Sequence, residues 1–412
     1  MKVTLIYSAI GIAGFNSNRP MGDREGSWIG HGIALIGAAT KKAGHDVDLI
    51  DLRQLSGFEE LAGIIKANPA DVYGISVAPV DYYGALKTVF GIKTNAPQAK
   101  IIVGGIHPSI FPQEYDFDVI DTVVIGEGEV TFPKLLQDLA RLPKVIHGER
   151  PDLDVVPYAD RELFDYRREL CCFFAPDQKT PSITMIAGRG CPFKCNYCQP
   201  AENAVFGKPY RMRPADAVVD ELAELYGKYR FKSVTFWDDT FTVSPGWVDR
   251  FCDAYEIMNF DATIAACSRA DIICNHPKMI ERMASVGVDW LVIGFESGSQ
   301  RLLDLIQKGT TVEQNLKASA ICRKYGVKIF GTYMYGLPTE TEADSTATAK
   351  MIDRIKPEHA SPFWYVPIKG TGLYDFCSKN NLILDEPENI GRTGVFVPRI
   401  RGVDYAHIQT LM

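Results

Sequence analysis

Short apolar blocks alternate with stretches of helical period over the first 145 residues. The blocks Val3–Tyr7, Val47–Asp51, Val72–Val77, Ile101–Val103 and Thr122–Ile125 predict strands. The segments Gly32–Ala43, Phe58–Asn68, Tyr82–Asn95 and Val130–Leu142 carry apolar residues at helical spacing and predict helices between them. Strands that are apolar almost throughout are covered on both faces, so the alternation predicts a doubly wound parallel sheet of the Rossmann-like kind. Its ligands belong at the carboxyl ends of the strands. The opening Met1-Lys2 followed by apolar residues imitates a leader peptide. Here Val3, Leu5 and Tyr7 alternate with Lys2, Thr4 and Ile6 and run into glycines, the pattern of a first buried strand.

The pattern breaks over 143–181, where Pro143, Pro151, Pro157, Pro176 and Pro181 punctuate a polar stretch that reads as a linker. A second series begins at Ser182. Strands are predicted at Ser182–Ala187, Ser233–Trp237, Thr263–Cys267, Trp290–Gly294, Lys328–Tyr333 and Pro362–Val366. Helices are predicted at Ala215–Lys228, Pro245–Ile257, Pro277–Ser285, Gln300–Leu305, Thr311–Tyr325 and Glu340–Ile355. Six such units make a partial (β/α)6 barrel over 182–370, with its active site at the carboxyl ends of the strands. Residues 371–412 form a short tail or cap, and 1–142 the front domain.

Composition narrows the class. Hydrophobic residues make up 46% and charged residues 23%, as in an ordinary globular protein, and a net charge of −7 argues against a general nucleic-acid surface. No apolar stretch of about 18 residues predicts a membrane span. Of ten cysteines none precedes Cys171, and three share one eight-residue window. That distribution fits a metal cluster in a reducing, cytoplasmic compartment and not a disulfide framework.

The window is Gly188-Arg189-Gly190-Cys191-Pro192-Phe193-Lys194-Cys195-Asn196-Tyr197-Cys198, just after the first strand of the second series. Three thiolates in C-x3-C-x2-C spacing on a loop grip three irons of a cubane and leave the fourth open. Structural zinc wants four ligands, and no histidine lies between Cys198 and His276 to complete such a set. This segment resembles the radical S-adenosylmethionine (SAM) family. The resemblance spans roughly 182–370 and implies a [4Fe–4S] cluster on Cys191, Cys195 and Cys198 whose open iron binds the amino and carboxylate groups of SAM. Tyr197 matches the aromatic beside the adenine. Asp238, after the second strand, matches a polar position for the SAM amino group. Ser268 and Arg269 resemble the contacts to its carboxylate, Glu296 those to the ribose, and the backbone at Leu337 in Gly336-Leu337-Pro338 that to the adenine. Each has a plainer reading: Asp238 as a helix cap, Arg269 as a surface ion pair, Glu296 as a solvated carboxylate.

The front domain has its own signature. Ser76-Val77, Gly104-Gly105-Ile106-His107-Pro108 and Gly126-Glu127-Gly128-Glu129 close successive strands, and glycine there lets a large flat or anionic ligand approach the backbone. With Trp28–Leu35 and Ala43–Val47, these segments resemble the cobalamin-binding domain that precedes many radical SAM modules. The resemblance implies a corrin over Ser76, Val77, Gly104, Gly105, Gly126, Glu127 and Gly128. The D-x-H-x-x-G device that places a histidine on cobalt is absent: His31, His45 and His107 all lack that context. The loop Pro79–Tyr83 is the expected floor beneath the corrin, with Tyr82 either facing it or packing at a helix start. His107 either contacts the corrin or caps its loop.

Together the resemblances imply a cobalamin-dependent radical SAM methyltransferase acting on an unactivated sp3 carbon, one SAM methylating cobalamin and a second giving the 5′-deoxyadenosyl radical. An electron donor such as ferredoxin or flavodoxin is implied. The rivals are a non-methylating relative that cyclises or contracts rings, and a cobalamin sensor with a regulatory cluster. A methylthiotransferase needs three further cysteines in its front domain, where residues 1–170 have none. The substrate is expected to be a peptide or protein segment or a complex small molecule. The short tail favours the former, and the compact layout resembles enzymes that methylate a residue of methyl-coenzyme M reductase. Tyr335, Trp364 and Tyr365 either line the mouth or pack in the core.

Overall fold

The computed structural model describes residues 1–15, 28–164, 166, 170, 175, 177–199, 201–208, 210–384 and 398–412. The chain forms two compact units: Met1–Cys171 with Ala201–Gly207, and Cys172–Pro200 with Lys208–Met412.

In the first unit β1 (Lys2–Tyr7), β2 (Asp46–Asp51), β3 (Val72–Ser76), β4 (Lys100–Gly104), β5 (Thr122–Ile125) and β6 (Val145–His147) form one sheet in the order β2-β1-β3-β4-β5-β6. All its pairings are parallel. The order reverses at β1, which lies between β2 and β3, so the carboxyl edge there is a topological switch point. The near-continuous apolar blocks have a direct cause. Ile6, Ile75 and Val103 face one core with helices Phe58–Ala67 and Tyr82–Asn95, while Leu5, Ile102 and Val124 face another with helix His31–Lys42.

Two expectations are corrected here. The helix expected over Val130–Leu142 stops at Leu135, and the Asp138 carboxylate then accepts the Ala140 N–H in a turn. The segment expected to be a linker from 143 begins with β6, whose Val145 pairs with Val123. Three residues are too short to show a period, so β6 exists only through its partner.

In the second unit β7 (Ser182–Met185) is followed by a two-stranded antiparallel ribbon of β8 (Gly188–Arg189) and β9 (Arg211–Met212). Then come β10 (Ser233–Phe236), β11 (Thr263–Ser268), β12 (Val288–Glu296), β13 (Lys328–Tyr335) and β14 (His359–Trp364). The six long strands are parallel in the order β14-β13-β12-β11-β10-β7, an open barrel with β7 and β14 as its edges. The sixth strand begins at His359, three residues before the expected start. Capping fixes the helices behind β12 and β13: Thr311 and Gln314 form a capping box at Val312–Lys324, Thr341 and Asp344 another at Glu342–Ile355.

Among the described residues after 370, two helices pack on this unit. Helix Gly372–Lys379 buries Leu373 and Cys377 in a core with Leu302, Leu337, Tyr365 and Ile400. Ile383 and Ile400 form an antiparallel bridge. Helix Tyr405–Leu411 lies on helix Glu342–Ile355, where His407 Nε2 meets Thr346 Oγ1 at 3.1 Å.

Candidate active site

The cysteine loop hangs from the carboxyl end of β7 and is tied down at both ends. At its start the Asp238 carboxylate accepts the N–H groups of Ala187 (3.1 Å) and Gly188 (2.5 Å). Burial pushes Asp238 up to about 7, against those backbone donors. Further on, Cys198 and Gln199 donate to the Cys195 carbonyl at 3.0 and 2.9 Å, and Asn196 donates to the carbonyls of Ile306 and Leu305. Cys191 is half-buried, Cys195 buried and Cys198 exposed, and all three stand outside any disulfide. Arg269 Nη1 lies 3.5 Å from Cys195 Sγ, with its guanidinium stacked on Phe193 at 3.7 Å. A cation there complements a sulfur ligand that carries negative charge.

A cubane fits this loop by donor chemistry: three thiols in one anchored turn, with a guanidinium beside the most buried. Among the described residues no three His, Cys, Asp or Glu side chains already converge as a closed cage. The fit therefore rests on the donors and their anchors.

The other strand ends meet on the same side of the barrel. Ser268 ends β11, one residue beyond the expected strand end, and Arg269 follows it; Ser268 Oγ bonds Thr242 Oγ1 at 2.8 Å and Arg269 Nε bonds Asp271 at 3.0 Å. Glu296 ends β12 in the left-handed region, φ +61°, uncommon for a residue with a Cβ. Its Oε1 accepts from Lys308 Nζ at 2.8 Å and Tyr197 OH at 3.0 Å. Burial, then the Glu296 charge, hold the Tyr197 phenol well above its usual range. A Cβ on Gly294 would lie 2.3 Å from Glu296 Oε1 and 2.9 Å from Lys308 Nζ, so this ion pair requires glycine there. Glu296 and Arg269 are thus buried and paired, unlike the solvated carboxylate or surface ion pair of the plainer readings.

After β13 the turn Gly336-Leu337-Pro338 donates its first two N–H groups to Glu340 Oε2, at 2.6 and 3.0 Å. The other oxygen, Oε1, is buried with no hydrogen-bond partner among the described residues, and burial pushes Glu340 up to about 7. Tyr405, from the last helix, covers Gly336; a Cβ at Gly336 would lie 3.2 Å from its ring. Lys308, Glu340 and Tyr405 escaped the sequence reading. Lys308 sits between two helices and Tyr405 in the tail, away from any strand end. Glu340 had a signal in its place three residues after Leu337, where a carboxylate can reach back to a turn.

In the first unit the glycine-rich ends lie on the carboxyl edge of the sheet. Val77 N–H donates to Gly104 O at 2.9 Å and His107 N–H to Val77 O at 3.0 Å, which stitches the ends of β3 and β4 together. Gly105 has φ +105°, and a Cβ there would meet Val77 N at 2.8 Å. Ser76 O accepts from Ser8 Oγ at 2.7 Å. Gly126, φ +86°, donates its N–H to the Ser109 hydroxyl at 2.8 Å, Glu127 is buried, and Gly128 backs onto Ile36. His107 is drawn inward: Nδ1 lies 2.9 Å from Tyr115 OH, Nε2 3.6 Å from Glu114, and the ring stacks on Tyr82 at 4.6 Å. Tyr82 OH donates to Glu114 O at 3.2 Å, so Tyr82 and His107 pack together within the unit. Arg53, paired with Asp51, keeps Nη1 buried with no hydrogen-bond partner among the described residues.

Residues 21–136 match the family model of the B12 binding domain, and residues 185–352 that of the radical SAM superfamily. The chain belongs to the cobalamin-dependent radical SAM enzymes. It uses a [4Fe–4S] cluster, SAM and cobalamin. Among curated proteins, this radical SAM enzyme is 28% identical to an uncharacterized methyltransferase of Pyrococcus horikoshii, over 86% of its own length and 79% of the relative's. It is 26% identical to the anaerobic magnesium-protoporphyrin IX monomethyl ester cyclase of Rubrivivax gelatinosus, over 85% and 66%. Its fold is that of the cobalamin-dependent SAM radical enzyme OxsB with aqua-cobalamin bound: TM-score 0.72, 16% identity, 96% of this chain and 64% of OxsB. Among the described residues no helix is long and apolar enough to cross a membrane.

Proposed function

We propose that this enzyme transfers a methyl group to an unactivated sp3 carbon. The observation that carries the reading is one chain joining an anchored C-x3-C-x2-C loop to a B12 binding domain. When bound, the reduced cluster supplies the electron that cleaves SAM to a 5′-deoxyadenosyl radical, and cobalamin supplies a transferable methyl group. Cys191, Cys195 and Cys198 would hold three irons. Arg269 and Ser268 would receive the SAM carboxylate, while Asp238 keeps its place as anchor of the loop and offers its remaining lone pairs to the amino group. Glu296, held by Lys308 and Tyr197, would take the ribose hydroxyls, and the backbone at Gly336 and Leu337 the adenine. Ser76, Val77, Gly104, Gly105, Gly126, Glu127 and Gly128 would seat the corrin. Tyr82 and His107 would support it from within the unit.

The electron would come from a ferredoxin or flavodoxin, in a reducing, cytoplasmic setting. A peptide side chain, such as one of methyl-coenzyme M reductase, suited the short tail. Helix Gly372–Lys379 packs on the second unit, and the name of the Rubrivivax relative carries a tetrapyrrole, which supports a small molecule as the better candidate. The same likeness favours a second reading, cyclisation without methyl transfer. The test is anaerobic purification with cobalamin, reconstitution with iron and sulfide, and incubation with SAM and reductant. Bound corrinoid, 5′-deoxyadenosine and S-adenosylhomocysteine together are expected. 5′-Deoxyadenosine without S-adenosylhomocysteine would move the reading to cyclisation, and no 5′-deoxyadenosine would end both.

A further inference from the structure

The parallel registers of the second unit sort its strand residues into rows across the sheet. Thr184, Thr235, Ala265, Trp290 and Lys328 share the first row. Cys267, Val292, Phe330 and His359 share the second; Gly294, Thr332 and Ser361 the third; Met334 and Phe363 the fourth. The intervening residues form the helical side. Leu291, Ile293, Ile329 and Tyr335 are buried there, and Phe295, whose ring covers Gly331, receives on its carbonyl the Asn315 amide of helix Val312–Lys324. The rows therefore point the other way, into the concave face of the barrel.

The floor of that face is closed. Ala175, Ala265 and Trp290 pack with Phe330, and Gln178 donates to Thr235 Oγ1 at 2.8 Å. Above it the face is open. Along β13 exposure alternates strictly, with the concave-side residues Phe330, Thr332 and Met334 half-buried and their neighbours buried. On β14 Ser361 is half-buried and Phe363 is 47% exposed, an aromatic ring uncovered at the carboxyl end of a strand.

This open wall has no Asp, Glu, Lys or Arg between the second row and the fourth on β13 and β14. The one titratable ring, His359, lies low and against Phe330 at 4.4 Å. Two charges at neighbouring strand ends are engaged with partners: Glu296 with Lys308, Arg269 with Asp271. A carboxylate or phosphate placed against β13 and β14 would lose its water and gain no counter-charge from the described residues of these two strands. A hydrocarbon chain or ring would gain contact with Phe363 and Val292, beside Met334 where it packs against the upper core, and an uncharged polar group could use the hydroxyls of Thr332 and Ser361.

We propose that the β13–β14 half of the concave face binds an uncharged, mainly hydrocarbon part of the substrate. The proposal rests on the reading above, in which the attacked carbon is unactivated, and it assigns the wall that receives the part of the substrate bearing that carbon.

The test uses the reconstituted holoenzyme with SAM present and two fluorescent probes of one ring system, 1-pyrenebutanol and 1-pyrenebutyrate, titrated by anisotropy. The alcohol is expected to bind at least about ten-fold more tightly than the carboxylate, the scale set by one poorly solvated charge. Phe363→Asp and Ser361→Asp should each weaken the alcohol by a similar factor. Ile257→Asp, on an exposed helix position, should not. Melting temperatures of all variants separate a lost site from a lost fold. Equal or tighter binding of the carboxylate would overturn the proposal, as would alcohol binding that ignores both wall substitutions. A holoenzyme that binds the probes as expected but forms no S-adenosylhomocysteine would overturn methyl transfer and leave this assignment standing.

Discussion

Lys308 shows what a single buried charge does here. It and Glu296 are both almost fully buried and face each other at 2.8 Å, with the Lys308 carbonyl also holding Arg269 Nη2 at 2.5 Å. Breaking one partner of such a pair leaves an uncompensated charge and costs about 3–5 kcal/mol. Lys308→Met should therefore destabilise the protein by roughly that amount in denaturant melts. In equilibrium dialysis with the reconstituted protein it should also weaken SAM binding by at least about ten-fold. The double variant Lys308→Met/Glu296→Gln should recover most of the stability, because no lone charge is buried, and none of the SAM affinity. Recovery of both would make the pair mere scaffold. The cysteines were legible because their spacing is local and their chemistry specific. Lys308 was not, because its partners lie 12 and 111 residues away and meet it only after β12 and the cysteine loop have folded together.

At the scale of elements, the long strands could be read because an apolar block flanked by helical period has few other meanings. The ribbon of β8 and β9, of two residues each, and β6, of three, left no pattern, since each is defined by its neighbour's backbone. The turn after β13 belongs with them. Its shape depends on Glu340, whose carboxylate gathers the N–H groups of Gly336 and Leu337, and on Tyr405 above it. Burial raises Glu340 from 4.5 to about 7, so the folded state binds more protons than the unfolded state between those values. Its contribution to stability is full below pH 4.5 and declines as pH rises towards 7, by about 3 kcal/mol at 1.4 kcal/mol per pKa unit. Against Glu340→Gln, which does not titrate, the wild-type protein should lose stability between pH 5 and 7.5 in paired melts. Parallel curves would mean that the carboxylate is ionised throughout. Tyr405→Ala, which uncovers the same turn and removes the acceptor for the N–H groups of Arg399 and Ile400, should cost about 3–5 kcal/mol as a large buried ring lost.

At the scale of the whole molecule, each unit has its own core: two apolar layers around a parallel sheet in the first, the closed floor and the capped upper core in the second. The residues proposed for the corrin all belong to the first unit and those for the cluster and SAM to the second. The division was legible in outline, because periodicity and prolines mark it. It was not legible in detail: Ala201–Gly207, directly after the cysteine loop, belongs to the first unit, where Val205 O lies 3.3 Å from a Cβ placed on Gly126. A surface that returns to an earlier sheet leaves no local trace in sequence. If the cofactor sites are as separate as their cores, they should fail separately. Replacing Cys191, Cys195 and Cys198 together by alanine should abolish iron incorporation and 5′-deoxyadenosine formation, while corrinoid per chain stays near the wild-type value. Gly105→Val puts a side chain where φ is +105° and Val77 N is 2.8 Å away. It should abolish corrinoid binding and leave iron and 5′-deoxyadenosine near wild type. Loss of both cofactors in either variant would show that binding in one unit depends on the order of the other.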